Sequence, residues 1–245
     1  MESKLGVAKV ESVETVAETR FLRLEKLTYT TPFGIRRKWD RVSRVKPDES
    51  LEDKAKREEG DAEVENDASA DADGAPRDDA AKYKRAADAV CVFAVMRSRK
   101  HPEQPPETVL VKQFRPATGG TVVELPAGLI DKGESPGAAA LREFKEETGL
   151  TGSVLGVSPA TYLSAGLSSE TVCIVIVQVN LDAEENQDVP TTIERPEENE
   201  YLEVERVPLS RLLVHLDRLS EEGMSIFTGL YTLAFGLSMG WTHSG

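Results

Sequence analysis

Hydrophobic and polar residues alternate near the start of the chain, in the stretch "RFLRLEKLTYTTPFGIRRKWDRVSR" at 20–44. Alternation of this kind places apolar side chains on one face of a strand and polar side chains on the other. The two alternating runs are separated by Pro32 and Gly34, residue types that are typical of turns. The pattern therefore predicts an antiparallel β-hairpin in the N-terminal region.

Strand and helix patterns are mixed in the rest of the chain. Apolar, β-branched runs predict five further strands, at 88–97, 107–115, 121–125, 154–163 and 171–181. The last run, "TVCIVIVQVNL", is almost continuously apolar, as is typical of a central strand. Leucines at helical spacing predict two helices near the C-terminus, at 208–222 and 224–239. Elements mixed in this way indicate an α/β or α+β sandwich.

A third helix is predicted at 136–148, because residues suited to both helix ends flank it. Ser135 is a good N-cap, and Pro136 suits the first helical position. Gly149 suits the C-terminal stop, since glycine readily adopts the left-handed conformation found there. The spacing therefore predicts a helix with well-defined ends.

This helix is expected to separate apolar from acidic side chains. At about 100° per residue, one face holds Leu141, Phe144 and Thr148, and the opposite face holds Glu143, Glu146 and Glu147. Arg142 lies one turn before Glu146 and can pair with it, which leaves Glu143 and Glu147 as neighbours one turn apart with no cation in sequence. Two interpretations are open, a solvated charged face or a site for a hard divalent cation that takes carboxylate oxygens.

Composition excludes several classes of protein. The chain has 245 residues, 39% of them hydrophobic, and has no apolar run near the roughly 20 residues that a membrane span needs. It has no secretory signal pattern at its N-terminus, so we expect a protein of the cytoplasm, with the nucleus as the alternative. Cys91 and Cys173 lie in apolar runs, and we expect buried, reduced thiols.

The net charge of −13 is concentrated in one segment. Residues 48–79 contain 14 acidic and 4 basic residues, so ten of the thirteen net negative charges lie there. With few large apolar residues, this segment is predicted to be a disordered acidic insertion. We therefore expect three parts: an N-terminal β region at 1–46, the insertion at 47–86 and a folded domain at 87–245. No basic face for nucleic acid is visible.

The predicted helix belongs to a longer motif, "GLIDKGESPGAAALREFKEETGL" at 128–150. Its defined positions are all filled, by Gly128, Glu134, Arg142, Glu143, Phe144, Glu146, Glu147, Gly149 and Leu150. Seven fixed residue types at this spacing match by chance about once in 10⁸ to 10⁹ starting points. The motif resembles the Nudix box, the signature of hydrolases that cleave nucleoside diphosphates linked to another group.

The Nudix resemblance implies a fold and a metal site. The fold is an α/β/α sandwich with a mixed sheet, here preceded by the N-terminal antiparallel β region. The resemblance implies Mg²⁺, with Mn²⁺ as the alternative, bound by Glu143 and Glu147 together with the carbonyl of Ala127. Glu146 would support or join this metal set, Arg142 would orient the glutamates, and Glu134 would have a structural role.

Segments outside the motif, including "VLVKQFRPATGGTVVELPAGLIDKGE" and "EYLEVERVPLSRLL", resemble the ADP-sugar pyrophosphatase branch, which includes ADP-ribose pyrophosphatase. In that branch the N-terminal region is exchanged across a homodimer, and adenine lies between aromatic rings from the two subunits. The resemblance assigns substrate contacts to Phe21, Trp39, Asp40, Arg44 and Arg115. It assigns Glu200, at the end of an acidic loop, to positioning or deprotonating the attacking water.

Two departures from the branch leave the substrate open. Phe21 replaces a tryptophan and Ala165 replaces a proline carried by ADP-ribose specialists, so adenine stacking is expected to be weaker. ADP-ribose, cut to AMP and ribose 5-phosphate, is the leading candidate substrate. The alternatives are other ADP-sugars, another derivative such as an oxidised nucleoside diphosphate, and a non-catalytic nucleotide-binding module.

Overall fold

The computed structural model describes residues 7–45, 87–195 and 200–241, which divide into two compact units. The first unit comprises 7–45, 87–88 and 160–172, and the second comprises 89–159, 173–195 and 200–241. The predicted insertion at 47–86 lies outside the described residues, and so does the end of the N-terminal region at 46. Residue 87, the predicted start of the folded domain, is described. The three-part organisation therefore stays a prediction.

The described residues contain strands and helices throughout their length. In chain order the strands are β1 (Lys9–Glu18), β2 (Leu22–Thr30), β3 (Arg36–Arg44), β4 (Ala89–Arg97), β5 (Glu107–Arg115), β6 (Gly120–Glu124), β7 (Ala127–Leu129), β8 (Ser153–Val157), β9 (Thr161–Tyr162), β10 (Thr171–Asn180), β11 (Thr192–Arg195), β12 (Glu200–Pro208) and β13 (Ser225–Ile226). The α-helices are α1 (Pro136–Thr148), α2 (Leu212–Glu221) and α3 (Thr228–Trp241). Short 3-10 helices lie at Glu184–Asn186 and Leu209–Arg211.

The first unit is built on an antiparallel sheet in the order β1-β2-β3. The predicted hairpin is confirmed: β2 and β3 pair from Leu22↔Arg44 to Thr30↔Arg36, and Gly34 in the turn has a φ of 77°. Strand β1 was not predicted, and its side chains are almost all exposed. An exposed strand has little need of apolar alternation, which explains why the pattern missed it.

The second unit contains a larger sheet in the order β11-β12-β5-β4-β10-β8. Strands β5 and β12 pair antiparallel, and β6 pairs antiparallel with β5 and parallel with β13. Helix α1 packs on β4 and β7, and α2 packs on α3. The predicted fold class, helices with a mixed sheet preceded by an antiparallel N-terminal β region, is confirmed.

The core of the second unit is made from the predicted apolar runs. Its most deeply buried side chains include Val90, Val92, Val109, Leu110, Phe144, Leu150, Val175, Val177, Leu202, Leu212, Leu216 and Leu230. The two cysteines are free and buried, as predicted. Burial raises the pKa of the Cys91 thiol to about 12, and the charges of Glu124 and Glu147 add to the rise.

Some predicted boundaries were wrong. The strand predicted at 154–163 is divided into β8 and β9, with Pro159 in between; proline has no N–H for a strand ladder. The helix predicted at 224–239 is preceded by β13 and begins at Thr228. None of the helices in the described residues is long and apolar enough to cross a membrane.

Candidate active site

Helix α1 begins and ends where the sequence predicts. The Ser135 side chain accepts a hydrogen bond of 3.2 Å from the Ala138 N–H, and Pro136 follows as the first helical residue. At the other end Gly149 has a φ of 72°, and its N–H donates to the Lys145 carbonyl at 2.9 Å. Caps at both ends satisfy backbone groups that the helix leaves unpaired, and they set where its glutamates lie.

The predicted separation of a packed face from an acidic face is wrong for two of the three glutamates. Glu143 is 6% exposed and Glu147 is 3% exposed, both on the buried side of α1 with Phe144, whereas Glu146 is exposed. At about 100° per residue, Glu143 and Glu147 lie at the edge of the stripe that contains Ala140 and Phe144. The carboxylates are therefore inside the protein, where burial of unpaired charge is costly.

Strand β7 covers the two buried carboxylates. The Ala127 N–H donates to Glu147 Oε2 at 2.9 Å. A Cβ atom at Gly128 would lie 2.0 Å from Glu143 Cδ, so a hydrogen is the only side chain that fits there with Glu143 in this position. The glycine of the motif is thus explained by the close approach of β7 to Glu143.

Arg142 joins the acidic helix to the loop before it. Its guanidinium donates to Glu134 at 3.1 and 2.9 Å, to Glu143 Oε1 at 2.7 Å and to the Leu129 carbonyl at 3.0 Å. The bond from Arg142 lowers the pKa of the Glu134 carboxyl. The expected pairing with Glu146 exists only at 3.6 Å, because the side chain turns toward the loop and Glu143 instead.

Arg195, on β11, is a functional candidate that sequence reasoning missed. Its Nη2 atom lies 2.8 Å from Glu146 Oε2, and its Nη1 atom lies 3.6 Å from Glu143 Oε2. Its side chain is only 11% exposed. Helical spacing in the sequence offered Glu143 no cation, but in the structure Arg142 and Arg195 both approach it. The only signal in the sequence was a lone arginine in an acidic segment, and the pairing needs the tertiary fold.

Burial and nearby cations act on the charge of Glu143 in opposite directions. Burial raises the pKa of the Glu143 carboxyl, against the lowering effects of Arg142 and Arg195. Among the side chains that the structure describes, no three His, Cys, Asp or Glu residues converge closely enough to hold a metal ion. Glu143 turns toward the arginines, and Glu147 turns toward the Ala127 N–H. The donors fit a hard divalent cation by chemistry and burial, but here they are held by protein partners.

Arg115 lies at the end of β5 and binds a carboxylate on β6. Its Nε and Nη2 atoms lie 2.9 and 2.7 Å from Glu124 Oε2. The charges of Glu124 and Glu147 both raise the pKa of the Cys91 thiol. Cys91 is therefore a common neighbour of the Arg115–Glu124 pair and of helix α1. The guanidinium of Arg115 is partly exposed and free to present further N–H groups to an anion.

Glu200 is the first residue of β12, where its backbone is opposite Arg195 of β11 in the strand register. This pairing brings the backbone of Glu200 close to the residue whose side chain binds α1. The fold thus carries the predicted water-positioning residue on the same strand pair as Arg195.

The remaining predicted substrate contacts lie in the first unit. The Trp39 indole N–H donates to the Gly166 carbonyl at 3.2 Å, and its side chain is 52% exposed. Arg44 forms an ion pair with Glu170, and Asp40 is exposed on the same strand. Phe21 is also exposed and lies under the guanidinium of Arg20, 4.9 Å from the ring centroid.

Phe21 and Trp39 are far apart on the hairpin. Trp39 pairs with Leu27, and Phe21 lies about six residues before Leu27, a distance of roughly 20 Å along a strand. The two rings of one chain are therefore too widely separated to enclose one adenine between them.

A cavity of about 600 Å³ lies elsewhere in the second unit, near the end of α1 that is marked by Gly149. Arg97, Arg99, Thr151, Gln178 and Asn186 are among its lining residues. None of the described site candidates lines it, and we assign it no part in the chemistry of α1.

Comparison with known proteins gives concordant matches. Residues 85–226 match the NUDIX domain family model. The mouse protein named "ADP-sugar pyrophosphatase" is 34% identical over 244 residues, covering 99% of this chain and 92% of that protein. The "ADP-ribose pyrophosphatase" of Saccharomyces cerevisiae is 29% identical over 233 residues, covering 95% and 84%. The Bacillus subtilis protein of the same name is 38% identical over 105 residues, covering 43% and 53%.

Proposed function

The chain belongs to the Nudix family, and on that premise we propose that it is a hydrolase of ADP-sugars that cuts ADP-ribose to AMP and ribose 5-phosphate. The observation that carries the proposal is the complete motif at 128–150, with Glu143 and Glu147 buried side by side beneath β7. Near full-length similarity to proteins named ADP-sugar and ADP-ribose pyrophosphatase supports the choice of substrate.

A divalent cation is part of the proposal, with Mg²⁺ preferred and Mn²⁺ as the alternative. Glu143 and Glu147 would hold it, with the Ala127 carbonyl and with Glu146 as a supporting or additional ligand. When bound, the cation supplies charge neutralisation at the phosphoryl oxygens and a more acidic water. Arg142 contributes by fixing Glu143, since Glu134 and the Leu129 carbonyl hold its guanidinium in place.

The diphosphate is assigned to Arg115. A guanidinium presents N–H groups in a planar fork that matches phosphate oxygens, and that of Arg115 is already oriented by Glu124. Glu200 is assigned to orienting the attacking water or accepting its proton. Water forms a new P–O bond, the bridging P–O bond breaks, and the bridging oxygen leaves on the other phosphate. Attack at either phosphorus gives the same two products.

Adenine is assigned to Trp39 and Phe21, with polar contacts from Asp40 and Arg44. We propose a homodimer in which each adenine contacts Trp39 of one chain and Phe21 of the other. The separation of these rings within one chain supports this arrangement, because stacking on both faces of one base needs rings a few ångströms from it. The two free cysteines support a reducing compartment, and we propose the cytoplasm.

The test is hydrolysis of ADP-ribose with Mg²⁺, followed by chromatography of the products. We expect substrate loss with equal amounts of AMP and ribose 5-phosphate, abolished by a chelator. A parallel panel of adenine, guanine and uridine diphosphate-sugars, with an oxidised nucleoside diphosphate, measures preference. Repeating the reaction in ¹⁸O-water shows which product gains the label and hence which phosphorus is attacked. Tight binding without turnover of any substrate would contradict the proposal and indicate a binding module.

A further inference from the structure

Arg195 is a cation placed against the acids that are proposed to bind metal. It lies on β11, is largely buried, and reaches Glu146 at 2.8 Å and Glu143 at 3.6 Å. Neither contact follows from position in the helix, because the arginine is 49 residues from Glu146 in sequence. The fold has therefore brought a positive charge from a distant strand to Glu143 and Glu146 of α1.

The two arginines that approach Glu143 hold it differently. Arg142 donates a 2.7 Å hydrogen bond to Oε1 and is itself held by Glu134 and by the Leu129 carbonyl. Arg195 lies 3.6 Å from Oε2, which is longer than a hydrogen bond. Oε1 is thus firmly engaged, and Oε2 is the oxygen of Glu143 that can exchange its partner at lower cost.

Glu146 is also approached by both arginines, but its closer partner is Arg195. Arg195 lies 2.8 Å from it, and Arg142 is farther away at 3.6 Å. A dication bound to Oε2 of Glu143 or to Glu146 would stand against the guanidinium of Arg195. Two positive charges at that separation repel, most strongly beside Glu143, which is buried. A divalent cation at these oxygens therefore competes with the present ion pairs of Arg195.

We propose that Arg195 is an internal counter-cation that compensates Glu143 and Glu146 in the metal-free protein and competes with the divalent cation for them. It is a positioning residue, and its effect is to weaken metal binding and stabilise the metal-free state. The inference rests on the proposed function for the identity of the metal site. It adds a regulatory property, since the metal concentration needed for activity would be set partly by one arginine.

The experiment measures Mn²⁺ binding to the full-length protein without nucleotide, by electron paramagnetic resonance of free Mn²⁺ and by calorimetry. We expect Arg195→Gln to bind Mn²⁺ about 5- to 20-fold more tightly than wild type, since coupling between two sites or ligands commonly falls in the range of about 5- to 150-fold. Arg195→Lys keeps the charge and should stay within a few-fold of wild type. In excess chelator, Arg195→Gln should melt at a lower temperature than wild type and gain more from added Mn²⁺.

Arg206→Gln is the matched control. Arg206 also forms a cross-strand ion pair in the same sheet, and its guanidinium donates to Glu107 at 2.9 and 2.7 Å. Its loss should leave Mn²⁺ affinity unchanged. If Arg195 merely held the strand in place, its removal would loosen the acids and weaken Mn²⁺ binding, and that result would overturn the proposal.

Each remaining result of the Mn²⁺ binding experiment either supports the proposal or overturns it. Equal affinity in wild type and Arg195→Gln would overturn the proposal even if wild type hydrolyses ADP-ribose. Tighter binding in Arg195→Gln would support it even if no substrate were hydrolysed, in which case only the proposed function fails. Binding to Arg195→Gln but not to wild type would support it, and no binding to either protein would overturn it.

Discussion

The sheets of the two units differ in how well their apolar side chains are covered. In the second unit the inner strands β4, β5 and β10 bury Val90, Val92, Val109 and Val175 fully, although Phe114, Ile174 and Ile176 on two of these strands are exposed. In the first unit the three-stranded sheet leaves large apolar side chains exposed, among them Val10, Val16, Phe21, Leu24, Phe33, Ile35 and Trp39. Exposed apolar side chains of this size leave area that a ligand or a second chain could cover. The acids proposed to bind metal are thus buried beside the core of the second unit, whereas Trp39 and Phe21, proposed for adenine, are exposed on an open sheet.

This difference indicates how the two regions should respond to substitution. Changes around α1 act on atoms with fixed partners, so they should lower turnover or metal affinity. Changes on the open sheet remove contact area that only a ligand or a second chain would cover, so they should raise KM. Four substitutions or measurements test this contrast.

Glu147→Gln has the largest expected effect. The change removes the charge but keeps an oxygen that can accept the Ala127 N–H, so the fold should persist. Turnover of ADP-ribose should fall at least about 100-fold, since even groups that only support metal ligands are typically worth about 10- to 100-fold. Steady-state kinetics and circular dichroism measure the two properties. Glu203→Gln, an exposed acid on β12, is the control, and full activity of Glu147→Gln would refute the assignment.

Gly128→Ala should disturb the same site by steric overlap with Glu143. The added methyl group would overlap the Glu143 side chain and displace its carboxylate. We expect the Mg²⁺ concentration for half-maximal activity to rise about 10-fold or more, with a smaller change in melting temperature. Gly156→Ala, in β8 with open space around the site of the new atom, is the control. An unchanged Mg²⁺ requirement would show that the position of Glu143 does not matter.

Trp39→Ala tests the open sheet. Stacking of a base on an aromatic ring is worth about 1–3 kcal/mol, so KM for ADP-ribose should rise on the order of 10-fold. The turnover number should change little, because the stacking contact is lost equally from the bound substrate and from the transition state. Phe33→Ala removes another exposed aromatic ring, at the hairpin turn, and should leave KM as it is. A loss confined to turnover would place Trp39 in the chemistry instead.

The reactivity of the Cys91 thiol tests whether the core of the second unit excludes solvent. At neutral pH this is the smallest of the expected effects. Because burial raises the pKa of Cys91 from 9.0 to about 12, the folded thiol stays protonated and should react slowly with a thiol reagent at about pH 8. Above pH 9 the unfolded thiol ionises first, so stability should decrease as pH rises from about 9 toward 12. Urea-unfolded protein supplies the fully reactive control. Rapid labelling of the native protein would contradict a closed core.

Predictions from sequence were accurate where local pattern decides the outcome. The ends of α1 follow from Ser135, Pro136 and Gly149, and β5 has the bounds that its apolar run indicates. They were inaccurate where packing decides. Helical spacing placed Glu143 and Glu147 opposite Phe144, but β7 covers that side of α1 and buries them. Arg195 could not be found at all, because its partners are reached only when β11 pairs with β12 and packs near α1.

By itself, the sequence determined the family, the Nudix motif and the limits of its helix, because spacing and end-capping are properties of a short stretch of chain. Only the tertiary structure decided which acids are buried, which cation each one contacts and how little room Gly128 leaves. Burial and charge pairing depend on segments distant in sequence, and their energies vary steeply with distance and solvent exposure. The sequence therefore predicts the chemical type of the site, whereas the tertiary fold sets the balance of charges around its acids.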